Sequence, residues 1–276
     1  MIDCHIHMVL DGVDWKNAIA RHRDRVDEAR VHQTLSTYRE KGYTYLRDGG
    51  DKWGVGKFAR TAAQQYGIVY RTPLAPICKA GHYGSFIGQT YENIKDYVNL
   101  VKEHRRDGAD FIKIMISGLM DFDRFGVLTE QPLSRQELGE LIHIAHEEGF
   151  SVMAHCNGAR TIEAAAVAGV DSVEHGAYAD EEALCAMKEK GTVWVPTLST
   201  IGNLRSRGRF DDIAVARILE SALQNAKQFY TMGGLVAEGS DAGAWAVPHG
   251  CNTEQGWLKL AEVSPERGNL AIMEKF

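Results

Sequence analysis

Residues 151–176 read SVMAHCNGARTIEAAAVAGVDSVEHG, and the fold turns on how that stretch divides. SVMAHCNG and SVEHG are short apolar runs of strand character, each reaching a histidine near its end. ARTIEAAAVAG between them is a helix candidate that closes on Gly169, as helix C-termini commonly do. Strand, helix and strand in so few residues make one βα repeat. The same repeat extends both ways along the chain. MIDCHIHM, YTYLRDGG, IVYRTPLAP and FIKIMISG precede it as strand candidates, and TVWVPTLST and LVAEGSDAG follow, making eight in all. The helix candidates between them include EARVHQTLSTYREKG, TYENIKDYVNLVKEHRRDG, SRQELGELIHIAHEEG, ADEEALCAMKEKG and DDIAVARILESALQNAKQFYTMGG.

Eight such units, with no composition break, linker or low-complexity segment, predict an α/β protein built as a single (β/α)8 TIM barrel domain over residues 1–276. The rival is a doubly wound open sheet. Against it, no GxGxxG or GxxxxGK[ST] follows any strand candidate, and polar residues gather at strand C-terminal ends along the whole chain.

Composition narrows the function. The formal net charge is -6 with no long basic run, which gives nucleic acid or an anionic membrane little to attract. A small-molecule substrate is the expected partner. Five cysteines without a CxxC pair, and no basic-then-apolar leader before the first strand candidate, read as a reduced, cytoplasmic protein. No apolar stretch approaches the roughly 20 residues of a membrane span.

Side chains alternate faces along a strand, so Asp3, His5 and His7 share one face and Cys4, Ile6 and Met8 the other. The apolar set is expected against helices, leaving an acid and two imidazoles turned inward. Burying those groups is costly unless something binds them, and a metal ion does so readily. An isolated HxH is weak evidence, since two histidines can equally be solvated or packed. Here it has company. His155 and His175 fall at the C-terminal ends of strand candidates, where barrel enzymes place their chemistry, and Asp241 ends the last. Alone, each has a bland reading, as a core histidine or as a turn-forming acid before Gly243.

Lys113 is the most informative position. Alternation sends Ile112, Ile114 and Ile116 toward helices and Phe111, Lys113 and Met115 inward. Burial lowers a lysine's pKa, and a neutral amine can add carbon dioxide to give a carbamate whose two oxygens bridge two cations. The alternative is an ordinary lysine, snorkelling or paired with a carboxylate such as Asp48.

Together these residues resemble the metal-dependent amidohydrolase superfamily. FIKIMISG, MAHCNGARTIEAAAVAGVDSVEHG, VWVPTLS and GSDAG are similar to its imidazolonepropionase-like and Xaa-Pro dipeptidase-like (prolidase-like) group with a carboxylated lysine. The resemblance runs from Met1 to about His249. It implies two divalent ions, zinc first among candidates: His5, His7 and Asp241 on one, His155 and His175 on the other, and N6-carboxylysine at Lys113 bridging both. Asp3 is expected to orient a ligand rather than be one. The implied reaction is hydrolysis of an amide-type C–N bond in a dipeptide, N-acyl amino acid or cyclic amide by a metal-bridging hydroxide, with Asp241 carrying the proton. The alternatives are a metal-binding barrel with little or no turnover, a lactonase, or a mononuclear deaminase. The deaminase branch carries a glutamate where this chain has Gly158.

Members of that group also carry a small β-sandwich beside the barrel, which this sequence is read as lacking; a homo-oligomer covering the resulting apolar surface is expected. His82 and Tyr83 in KAGHYGSF are the expected substrate contacts, with Arg124, Tyr178, Trp245 and His249 as weaker loop candidates. His143 and His146 are expected to face solvent, and Cys156 to point away from the site.

Overall fold

A computed structural model describes residues 1–276. It is a mixed α/β fold in which every strand pairing is parallel. The strands are β1 (Ile2–Ile6), β2 (Tyr45–Asp48), β3 (Val69–Arg71), β4 (Ile77–Lys79), β5 (Gln89–Tyr91), β6 (Ile112–Met115), β7 (Val152–Cys156), β8 (Ser172–His175), β9 (Val193–Val195) and β10 (Leu235–Val236). They form a three-stranded sheet in the order β1-β2-β3 and a seven-stranded sheet in the order β10-β9-β8-β7-β6-β4-β5.

The two sheets are joined at two places, one of them the edge formed by β10 and the other beside β6, which lies inside the larger sheet. Cys4 N donates to Glu238 O (2.8 Å), Asp241 N to His5 O (2.7 Å) and His7 N to Ala242 O (2.7 Å), joining β1 to the segment after β10. On the other side Asp110 N donates to Thr72 O (3.0 Å) and Thr72 N to an Asp110 carboxylate oxygen (2.9 Å), joining the end of β3 to the approach to β6.

Helix boundaries follow from local chemistry. Asn93 and Asp96 form a capping box that starts Ile94–Asp107, Ser134 caps Arg135–Glu147, and Asp180 caps Glu181–Lys190. Gly108 and Gly191 end two of these helices in the left-handed region that glycine reaches without penalty.

The strand count departs from the eight expected. Within the third strand candidate, residues 68–76, only β3 forms before Pro73 and Pro76, and β4 follows just beyond it, outside every strand candidate. β5 lies partly in a run read as helix, because Asn93 fixes the helix start three residues beyond Thr90.

Alternation sorts the core. Ile112, Ile114, Ala154, Cys156, Val173 and Trp194 pack against helices in a cluster of 33 buried residues. A second, of 19, packs Ile6, Met8 and Leu46 against the helices beside the smaller sheet. The opposite strand faces carry Tyr45, Phe111, Met153, Val193 and Val195, closed off by Ile272 and Phe276 of the last helix and its end.

Glu254 ties the loop after β9 to the helix Thr253–Leu260. It is buried and accepts hydrogen bonds from the backbone N–H groups of Leu198 (2.9 Å) and Ser199 (2.7 Å), both fully buried. An orphaned buried donor costs roughly 1–3 kcal/mol, so Glu254→Ala is expected to lower the unfolding free energy by about 2–5 kcal/mol. Denaturant unfolding monitored by circular dichroism measures this; a loss under about 0.5 kcal/mol would mean that water or neighbouring groups satisfy both donors.

Candidate active site

β1 delivers His5 from within the strand and His7 just beyond its end, on the face that also carries Asp3. β6 and β7 run beside each other with Lys113 opposite Met153 and Met115 opposite His155. β8 ends in His175. Because the strands are parallel, these side chains gather at one end of the sheets. Ring centroids are 5.3 Å apart for His5 and His7, 5.2 Å for His5 and His175, and 4.6 Å for His155 and His175.

Asp241 joins them from the segment paired with β1. An Asp241 oxygen lies 3.3 Å from His7 Nε2 and 3.5 Å from His5 Nε2, and Lys113 Nζ lies 3.2 Å from His5 Nε2. The tightest grouping is His5, His175 and Asp241, whose ligand-type atoms all lie within 4.8 Å of one another. It draws a member from each of the two ligand sets that the amidohydrolase resemblance implies.

Backbone strain helps to build the cluster. In β8, Ser172 and Glu174 face inward while Val173 packs on helices, so regular alternation would turn His175 outward with Val173. His175 instead adopts φ 67°, a left-handed conformation rare for a residue with a side chain, and its ring joins the site. Asp241 is held likewise at φ 58°.

Burial governs the electrostatics. His5, His7, Lys113 and His155 are buried and His175 is partly exposed. Desolvation, with the nearby Lys113 charge, pushes His7 and His155 down to about 3 and holds His5 well below the ordinary histidine range. His175 is also held low by burial, with His155 and His5 beside it. All four imidazoles are therefore neutral near pH 7 and offer lone pairs. Burial drives Lys113 down and Asp241 up, each toward its neutral form. No carboxylate lies within 4.0 Å of Lys113 Nζ, and Asp48 is engaged elsewhere, by Met8 N and Thr72 Oγ1. An ion pair with Asp48 therefore does not account for the buried lysine. Asp241 Oδ1 and His7 Nδ1 are buried without hydrogen-bond partners, which is the condition a bound cation relieves.

The outer imidazole atoms are anchored. His175 Nδ1 is 2.7 Å from Thr197 Oγ1, and His155 Nε2 lies 3.1 Å from Gly118 O and 3.3 Å from Asn157 Nδ2. Asp3 reaches no imidazole. Its carboxylate accepts from His5 N, Ser240 N and Ser240 Oγ, and so fixes the turn that leads into Asp241.

The other candidates divide. The Tyr83 ring lies 4.8 Å from that of His155, placing it at the site. His82 Nδ1 is 3.5 Å from Glu130, and no hydrogen bond or ring contact joins it to the histidines. Glu130 also accepts from Tyr83 N (3.0 Å), so it holds this loop. Arg124 pairs with Asp121 at the surface, Trp245 stacks under Arg209, and His249 bridges the Tyr38 hydroxyl and Leu10 O. Tyr178 packs on Phe125. His143 and His146 are exposed, His146 against Asp171, and Cys156 is in the helix-facing core. Gly158 has φ 88°, a conformation that disfavours the glutamate of the deaminase branch.

Residues that the sequence reading missed lie immediately beneath. Glu174 Oε2 is 2.8 Å from His5 Nδ1, and Arg47 Nη2 donates to Glu174 Oε1 at 2.8 Å. Glu174 immediately precedes His175, but nothing in the local pattern pairs it with Arg47, 127 residues away.

No protein-family model matches the chain. Ochratoxinase from Aspergillus niger is 28% identical over 233 residues, covering 72% of this chain and 47% of that protein, so the chain spans about half the length of the curated relative it matches. Among solved structures, a Xaa-Pro dipeptidase with bound methionine in its active site superposes with a TM-score of 0.77 at 22% identity, covering 100% of this chain and 72% of the other. The A. niger ochratoxinase structure gives 0.77 at 24% identity, covering 98% and 68%. A prolidase complexed with N-methylphosphonate-L-proline gives 0.72 at 23% identity, covering 99% and 71%. No helix of the fold is long and apolar enough to cross a membrane. The chain is thus a relative of ochratoxinase by sequence and shares the fold of the Xaa-Pro dipeptidases, the amidohydrolase group that its motifs resemble.

Proposed function

We propose that this chain is a binuclear metal-dependent hydrolase of amide-type C–N bonds, acting on a dipeptide, an N-acyl amino acid or a cyclic amide. The observation that carries the reading is the convergence of four neutral imidazoles, an unpaired buried lysine and Asp241 in one cluster. The similarity to ochratoxinase and to prolidase structures supports the bond type. On this reading the two sheets belong to one closed (β/α)8 barrel over residues 1–276, a view supported by the backbone hydrogen bonds from β1 to the segment after β10 and from the end of β3 to the approach to β6.

His5, His7 and Asp241 would hold one cation, His155 and His175 the other, with zinc the first candidate for both. When bound, such cations polarise a carbonyl and make a water acidic enough to attack it near neutral pH. Lys113 would supply the bridge. Its neutral amine forms an N–C bond to carbon dioxide and loses a proton, leaving a carbamate with two oxygens. A buried lysine without a carboxylate partner is suited to that reaction, because desolvation favours the amine over the ammonium.

Asp241 is the proton carrier. Its Oδ1 has no hydrogen-bond partner and burial raises its proton affinity, so it can take a proton from the attacking water and return it to the leaving nitrogen. Tyr83, beside His155, contacts the substrate, and Glu130 keeps its loop in place.

Incubating the zinc-loaded protein with a library of dipeptides and N-acyl amino acids tests the activity. Amide hydrolysis that falls by at least about 100-fold in Asp241→Asn is expected, within the range assigned to general acid–base catalysis. A metal-loaded, folded protein with no turnover on any member would favour the metal-binding barrel without catalysis.

Lys113→Ala tests the bridge. The folded variant is expected to lose metal and activity together, with partial recovery of both in millimolar short-chain carboxylic acids. Elemental analysis showing two ions per chain in that variant would mean that Lys113 is not the bridge.

Gly49 offers a check on His7. A Cβ at Gly49 would collide with the His7 ring. Gly49→Ala is expected to keep its circular dichroism spectrum while losing at least about tenfold in zinc affinity, the scale seen when a ligand is misoriented. Unchanged affinity would remove His7 from the ligand set.

A further inference from the structure

Beneath the histidines lies a charged network that the hydrolytic chemistry above does not use. Arg47 is fully buried, with each of its three side-chain nitrogens donating to a partner: Nε to Cys4 O (2.6 Å), Nη1 to Ser172 Oγ (2.9 Å) and Nη2 to Glu174 Oε1 (2.8 Å). Ser172 Oγ in turn donates to Glu174 Oε1 (2.6 Å). Below, the guanidinium carbon stands 4.4 Å from the Phe276 ring centre and 5.9 Å from that of Phe111. The guanidinium is thus held in place by hydrogen bonds above and aromatic faces below.

One Glu174 oxygen faces this assembly. The other, Oε2, lies 2.8 Å from His5 Nδ1. Both atoms are fully buried, and neither has another hydrogen-bond partner. Their separation is that of a charge-assisted hydrogen bond, although the imidazole N–H and the carboxylate are not aligned for one in this conformation. Two orphaned groups of complementary chemistry at that distance can only serve each other, and a small rotation about either side chain aligns them. On the far side of the same ring, His5 Nε2 faces Lys113 and Asp241.

We propose that Arg47 and Glu174 are positioning residues for His5: Glu174 holds the His5 proton on Nδ1 and so commits Nε2 to the metal site, and Arg47 fixes the Glu174 carboxylate in the place where it can do this. The inference rests on the metal-site reading above. A carboxylate behind a ligating imidazole fixes its tautomer and raises its basicity, and removal of such a partner typically weakens metal binding 10–100-fold. A buried arginine–glutamate pair that served stability alone would leave the choice of His5 nitrogen open.

Two measurements test this. In the metal-free wild-type chain, long-range 1H–15N imidazole spectra are expected to show His5 as the Nδ1–H tautomer; an Nε2–H tautomer would overturn the proposal. This readout needs no variant. The second measurement is cobalt(II) affinity, determined by competition with a chromophoric chelator on proteins shown to be folded by circular dichroism. Glu174→Gln is expected to bind the tighter ion 10–100-fold more weakly than wild type. The double variant Arg47→Met with Glu174→Gln leaves neither charge buried and is expected to fold with the same loss rather than a larger one. Wild-type affinity in both variants would overturn the inference alone. Failure of the wild-type chain to bind cobalt would overturn the metal-site reading itself, and the inference with it.

Discussion

Three backbone hydrogen bonds, from Cys4 N to Glu238 O, from Asp241 N to His5 O and from His7 N to Ala242 O, carry most of the consequences of this fold. They pair the first strand with a segment more than two hundred residues later and thereby bring Asp241 beside the two histidines of β1. Asp3 reinforces the pairing by accepting from Ser240 N and Ser240 Oγ. The long sequence separation makes closing this contact entropically expensive, and the burial of neighbouring Ile6, Met8 and Ala242 in one apolar cluster offsets that cost. Position and chemistry are therefore coupled: whatever loosens β1 from the 238–242 segment also separates His5 and His7 from Asp241.

The site itself works against stability. Four imidazoles, a lysine and an aspartate are withdrawn from water, two of them at residues with left-handed backbone, and several of their polar atoms have no partner. Burial of this kind selects the neutral forms of the histidines and moves Lys113 down toward its neutral amine, the forms able to donate lone pairs or react with carbon dioxide. Strain and unsatisfied polarity concentrated at one place, within an otherwise well-packed molecule, are the usual mark of a functional centre. The metal reading explains both, since cations would satisfy the orphaned atoms and offset the desolvation of the donors.

Much of this was legible in the sequence because strand periodicity is local. Alternation correctly placed Lys113 inward with Phe111, set Ile112, Ile114 and Cys156 against helices, and drew His5, His7 and His155 to one face. Other features depend on tertiary context and left no local trace. His175 joins the site only because its φ of 67° breaks the alternation that Ser172 and Glu174 define. Arg47 sits beside Asp48 in its strand, and nothing in that local sequence points to Glu174 as its partner; the buried cap that Glu254 provides comes from a helix beyond the last strand. The end of β3 ahead of Pro73 and Pro76 is legible in principle, because proline cannot donate to a strand ladder. β4, just beyond Pro76, lies outside every strand candidate. Asp3, expected to orient a ligand, holds the turn that leads into Asp241, and which residue it holds is visible only once the chain's two ends are paired.

The central claim is that one buried cluster holds two divalent ions. Anomalous diffraction from crystals grown with zinc, recorded on both sides of the zinc absorption edge, tests it most directly. The account predicts two anomalous peaks, one touching His5, His7 and Asp241 and the other touching His155 and His175, with continuous density from Lys113 between them. A single peak, or zinc bound only at surface histidines such as His143 and His146, would contradict it.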